Sequence, residues 1–117
     1  MEENEKMLEL KDFEEAKKRV DEVIIPTPLI YSLAFSKECR NMVYIKPENL
    51  QRTGAFKIRG AYNKIMKMDD ESKSRGLIAS SAGNHAQGVA YAAQQLGVKA
   101  TIVMPAHTPL IKEVGGQ

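Results

Sequence analysis

One cysteine, Cys39, is all that this sequence of 117 residues contains. A lone thiol closes no internal disulfide, and with His85 and His107 far apart in the chain it makes no zinc-ligand spacing, so a reducing, cytoplasmic setting without a metal site is expected. Long apolar runs are missing too. Nothing approaches the roughly 18 residues of a membrane span, and the acidic start MEENEKMLEL lacks the basic and apolar regions of a signal peptide. Charge of a single sign is also lacking: 17 Lys+Arg against 15 Asp+Glu leave +2, which points away from nucleic acid and anionic lipid as partners. With 8 glycines and 5 prolines the chain is neither low-complexity nor collagen-like. Its 43% hydrophobic and 27% charged residues are ordinary for a small globular domain.

Several catalytic signatures are absent. Gly83 and Gly88 do not complete G-x-G-x-x-G, no G-K-[ST] follows a glycine loop, and G-x-S-x-G does not occur, so nucleotide binding and serine hydrolysis lack their motifs. Ser81 and His85 have no identifiable orienting acid and define no triad.

What is present begins with uneven charge. Residues 1–22 hold nine acids and five bases, and the remainder holds six acids and twelve bases. The basic body suits an anionic ligand such as a phosphorylated cofactor, or is simply a solvated face.

Leu10, Phe13, Ala16, Val20 and Val23 recur at helical spacing, which predicts an amphipathic helix with that stripe facing inward. Pro26 and Pro28 make IIPTPLI an extended connector, and Ser32 caps a short helix running to about Cys39. MVYIK at 42–46 reads as a buried strand stopped by Pro47. Ile58, Ala61, Tyr62 and Ile65 predict a second helix ending near Met68, with Thr53 as its cap and the polar DDESKSRG beyond it. LIAS at 77–80 is a strand; Ala86, Val89, Ala90 and Ala93 mark a third helix closing at Gly97, and KATIVM at 99–104 is the next strand. Strand, helix and strand with short connections make a βαβ unit, hence an α/β fold with parallel pairing. Thr108 and Pro109 resemble a further helix start.

Two stretches can carry chemistry. The first, QRTGAFKIRG at 51–60, sets Lys57 in the first turn of a helix between Phe56 and Ile58. Helix-end dipole and partial burial both disfavour a charged amine there, and a neutral amine is a nucleophile suited to a Schiff base. The alternative is a solvated lysine beside Arg59 and Lys64. The second stretch, SSAGNH at 80–85, lies between strand and helix, where small residues admit a ligand and free amides favour a carboxylate or phosphate. Asn84 either donates to a ligand oxygen or merely caps the helix, with His85 then packing or pointing to water.

Together, Gln51–Tyr62 and Ser80–Ala90 resemble the threonine dehydratases, or threonine ammonia-lyases, among the tryptophan-synthase-β-like pyridoxal-phosphate enzymes. The likeness extends from Thr27-Pro28-Leu29 through KPENLQ to VMPAHTPLIK. It implies part of a three-layer αβα fold with a parallel sheet, residues 1–68 belonging to the large cofactor domain and 69–117 to the first part of the small one. It makes Lys57 the Schiff-base lysine of pyridoxal 5′-phosphate, Phe56 its neighbour against the cofactor, and Asn84 the donor to the pyridine 3-oxygen. Ser81, Ala82, Gly83, Asn84 and His85 then hold the substrate carboxylate. The implied reaction turns L-threonine into 2-oxobutanoate and ammonia, with L-serine to pyruvate as a second course, in isoleucine biosynthesis or in catabolism. Ala82 stands where racemase relatives place a serine, which favours elimination. A homo-oligomer is implied for the full-length protein. The family's phosphate loop and pyridine-nitrogen contact lie downstream of these motifs, so the chain reads as an N-terminal fragment with little activity of its own. The alternatives are a noncatalytic module that pairs with a full-length relative and a serine dehydratase or racemase relative.

Overall fold

A computed structural model describes residues 6–107. The helix start expected at Thr108 and the end of the VMPAHTPLIK likeness lie outside the described residues. Leu10–Val20 form α1, with the Glu9 amide donating to Asp12 Oδ2 at 2.8 Å and basic residues in the last turn, both of which suit the helix dipole. Its inward stripe is only half realised. Val20 and Val23 are buried, but Leu10 and Phe13 are 74% and 59% exposed, because α1 meets the core through its C-terminal end. There Arg19 Nε donates to Asn63 Oδ1 at 2.7 Å.

The proline connector leads into β1 (Ile30–Tyr31), which pairs antiparallel with β2 (Tyr44–Ile45), Tyr31 opposite Tyr44. Between them lies α2 (Leu33–Cys39), capped by Ser32 as its sequence predicts. The strand expected over 42–46 is shorter and is not buried. Tyr44 and Ile45 are exposed because β2 pairs with an equally exposed β1, so its β-forming composition reflects pairing rather than burial.

Lys57–Met66 form α3, two residues shorter than the apolar spacing suggests. Beyond it the polar stretch, for which no element is expected from sequence, forms α4 (Asp70–Arg75), nucleated where Asp69 Oδ1 accepts from the Ser72 amide at 2.7 Å. Next come β3 (Leu77–Ser80), α5 (Asn84–Leu96) and β4 (Ala100–Val103), all where local pattern places them. Gly97, at φ +67°, ends α5 in the left-handed conformation that costs glycine least. The two strands are parallel, with Leu77 opposite Ala100 and Ser80 opposite Val103.

This βαβ unit positions the candidate site. Leu77, Ala79, Ala100 and Ile102 pack against the core, in which Ile58, Ala61, Tyr62 and Ile65 of α3 meet Val89, Ala92 and Ala93 of α5. Alternation along the strands turns Ile78 and Val103 to the other face, where Ile78 is 81% exposed. The fold is α/β with a parallel sheet, as expected from sequence. Among the described residues no helix is long and apolar enough to cross a membrane, and no group of three or more His, Cys, Asp or Glu side chains is placed to hold a metal.

Candidate active site

The chain reaches Lys57 through a turn built from its own side chains. Gln51 is buried, its amide accepting from the Ile25 amide at 2.8 Å and donating to the Ile25 carbonyl at 2.9 Å. Arg52 Nε donates to the Val23 carbonyl at 2.6 Å. Both contacts tie the loop to the segment leaving α1. Thr53 then adopts φ +64°, a left-handed conformation rare outside glycine and usually tolerated only where the surroundings fix it. Its hydroxyl is buried without a hydrogen-bond partner among the described residues. Thr53 is therefore not the α3 cap expected from sequence; Phe56 occupies the cap position.

Lys57 is the first residue of α3. Its side chain is exposed rather than partly buried, with the Phe56 ring centroid 5.4 Å from Nζ. No carboxylate among the described residues pairs with the amine. The backbone beneath is closely packed. A Cβ built on Gly88 of α5 would stand 3.0 Å from the Lys57 carbonyl carbon and 3.1 Å from the Ile58 nitrogen, so only glycine lets the two helices approach this far.

Ser81 organises the second stretch. Its Oγ accepts from the Gly83 amide at 3.2 Å and from the Ala86 amide at 3.3 Å, capping α5 from outside. Gly83 is the cap residue and Asn84 the first of the helix, so Asn84 is not the cap and its exposed amide is free to meet a ligand. The backbone amides of Ala82, Asn84 and His85 have no partner among the described residues. His85 is exposed at the rim of an open, mostly apolar hollow of about 340 Å³ between α3, β3 and α5.

Asn84 and Gly88 are one helical turn apart on one face of α5, roughly 6 Å along its axis. Gly88 touches Lys57, so the exposed amine and the free amides of the α5 start belong to neighbouring helix beginnings. These donors fit pyridoxal phosphate and an amino acid: a primary amine with no carboxylate neutralising it suits an aldehyde, and unpaired amides at a helix start suit a carboxylate.

Two contributors went unread in the sequence. Gly88 was legible only as a failed part of a dinucleotide motif, although its position four residues after Asn84 is the signal that it shares the loop's face. Glu48 gave no signal in KPENLQ, yet its carboxylate accepts two bonds from Arg59, each at 2.9 Å, and one from the Thr27 hydroxyl at 2.6 Å. The Arg59 guanidinium beside it, above all, holds the Glu48 carboxyl down at about 2.

Comparison with known proteins extends this picture. The family model described as "Pyridoxal-phosphate dependent enzyme" matches residues 20–115. The L-threonine ammonia-lyase of Thermotoga maritima is 53% identical over 106 residues, 91% of this chain and 26% of that protein. The catabolic L-threonine dehydratase TdcB of Staphylococcus aureus is 51% identical over 108 residues, 92% of this chain and 31% of that protein. The crystal structure of serine racemase from Dictyostelium discoideum superposes with TM-score 0.85 at 39% identity, covering 92% of this chain and 36% of that one. This chain thus spans about a quarter to a third of the length of the curated relatives it matches. A matching family model over most of the chain, joined to a shared parallel α/β unit and an unpaired lysine at a helix start, leads to one assignment: the chain belongs to the pyridoxal-phosphate dependent enzyme family, with the tryptophan-synthase-β-like fold.

Proposed function

We propose that this chain carries the lysine and the carboxylate-binding loop of a threonine dehydratase, which converts L-threonine to 2-oxobutanoate and ammonia and takes L-serine to pyruvate by the same route. The carrying observation is the backbone contact of Lys57 with Gly88, which brings the start of α3 against the first turns of α5, the helix that follows the SAGN loop and its free amides. Identity above 50% to a threonine ammonia-lyase and a threonine dehydratase supports the choice of substrate.

When bound, pyridoxal phosphate supplies an aldehyde for an amine and a ring that withdraws electrons from the substrate α-carbon. Lys57 Nζ would hold that aldehyde and would take the substrate α-proton as general base. The amides of Ala82, Asn84 and His85 bind the substrate carboxylate, and the Ser81 hydroxyl, already accepting from two amides, keeps its own proton to donate. Gly83 would let the loop come close, Asn84 Nδ2 would donate to the ring 3-oxygen, and Phe56 would flank the cofactor. The substrate β-hydroxyl departs as water, and the unsaturated amine released takes up water to give the keto acid and ammonia. Ala82 offers no hydroxyl to reprotonate the opposite face, which favours elimination over the racemase course of structural neighbours.

Residues 1–68 are read as the first part of a large cofactor domain and 69–117 as the beginning of a small one, in a cytoplasmic enzyme that self-associates at full length. The decisive experiment is imine absorbance in the complete protein with pyridoxal phosphate: Lys57→Ala abolishes the band, and a band that survives sinks the role of Lys57. A second reading, a noncatalytic module that pairs with a longer relative, draws on the uncovered sheet face at Ile78 and Val103. Light scattering with an intact-mass measurement separates the two, since a longer native chain excludes the module.

A further inference from the structure

Glu48 lies nine residues before Lys57, in a 3₁₀ turn at Glu48–Leu50, and its carboxylate is the joint of three segments. Oε1 accepts from Thr27 Oγ1 at 2.6 Å and from Arg59 Nη2 at 2.9 Å, while Oε2 accepts from Arg59 Nε at 2.9 Å. Thr27 belongs to the proline connector, and its carbonyl accepts from Lys46 Nζ at 2.7 Å. Arg59 lies in the first turn of α3, two residues after Lys57, and its amide donates to the Phe56 carbonyl at 3.0 Å. The ion pair is mostly withdrawn from water, with 16% of the Glu48 side chain and 29% of the Arg59 side chain accessible.

A two-point guanidinium–carboxylate fork fixes orientation as well as distance, which a single-point lysine contact does not. Among the described residues the Lys57 amine makes no hydrogen bond or ion pair, only the contact with the Phe56 ring, and Gly88 limits its backbone from the α5 side. The buried Ile58 seats the first turn of α3 on the core side, and the fork adds an oriented tie from Arg59 to the loop before the helix. We propose that Glu48 is a positioning residue for Lys57: by gripping Arg59 against Thr27 it orients the first α3 turn and hence sets where the Lys57 amine meets its aldehyde. The inference rests on the reading of Lys57 as the Schiff-base lysine.

The test separates the two. The protein is incubated with pyridoxal 5′-phosphate, reduced with borohydride, and the labelled lysine is located by peptide mass spectrometry, with Lys64 and Lys67 as references from the same helix and its end. In the parent, Lys57 labels ahead of both. Glu48→Gln and Arg59→Lys, measured where circular dichroism shows them folded, are expected to lower the Lys57 to Lys64 labelling ratio by about tenfold or more, up to the roughly hundredfold that a misplacement of about 1 Å in a reacting group can cost. A purely stabilising role leaves that ratio unmoved in folded protein. Folded variants with the parent ratio overturn the positioning role while leaving Lys57 as the labelled residue; a parent that shows no preference for Lys57 overturns the Lys57 reading itself. Should Glu48→Gln fail to fold, Arg59→Lys, which keeps the charge and loses the fork, carries the same comparison.

Discussion

Gly88 and Lys57 meet backbone to backbone, and the space between them is too small for a methyl group: a Cβ on Gly88 would also lie 3.2 Å from the Lys57 Cβ. Alanine is the better helix former by about 1 kcal/mol, so on propensity alone Gly88→Ala would stabilise α5. Overpacking against unyielding backbone costs about 1–3 kcal/mol and outweighs that gain. Gly88→Ala is expected to lower the urea midpoint and the yield of Lys57 labelling together. A midpoint at or above that of the parent would show that α3 and α5 have slack.

Acid should weaken the fold through Glu48. Its carboxyl is depressed from 4.5 to about 2, chiefly by the Arg59 guanidinium, so protons bind it more readily in the unfolded chain. Its contribution is therefore complete above about pH 4.5 and fades as pH falls toward about 2. Urea unfolding between those limits is expected to show a falling midpoint that Glu48→Gln flattens. A variant curve parallel to that of the parent would remove Glu48 from the acid response.

Ser81→Ala removes the oxygen that accepts from Gly83 and Ala86. Loss of such a cap costs about 1 kcal/mol, and amide exchange at Gly83 and Ala86 should quicken while exchange at Ala92 and Ala93 changes little. Equal protection in the variant would show that the turn persists without the hydroxyl.

Two isoleucines give opposite expectations. Ile58 is fully buried, and Ile58→Ala is expected to cost about 2–5 kcal/mol in chemical unfolding. Ile78 is 81% exposed although it lies mid-strand, and Ile78→Thr should stay within about 0.5 kcal/mol of the parent. A large loss at Ile78 would mean that its face is covered in solution.

The β3–α5–β4 unit was legible in the sequence because every signal for it is local: β-forming runs at 77–80 and 100–103, alanines at helical spacing between them, and Gly97 where a left-handed residue is needed. Lys57 at a helix start was legible for the same reason. α4 was missed because its six residues carry no apolar stripe, and its start depends on one side chain, Asp69. Burial was the least legible property. Leu10, Phe13 and Ile45 have the composition of core residues, but periodicity reports which face is apolar and not whether anything packs on it. The left-handed Thr53 was invisible, since its conformation is set by Gln51 and Arg52 reaching back to Ile25 and Val23 across more than twenty residues.

Among the described residues each strand of the parallel pair has one neighbour, which leaves a row of amides and carbonyls along its outer side. The side chains of Ile78 and Val103 decide what lies across the sheet, but the main chain decides how the sheet widens. A strand joining β3 or β4 would meet a row already twisted and spaced at about 4.8 Å, and would take its register from Ser80 or Val103 instead of establishing its own. The βαβ unit is in that sense a template, and the loop at the C-terminal end of β3 that presents Ser81 to Asn84 would keep its place as strands are added beside it.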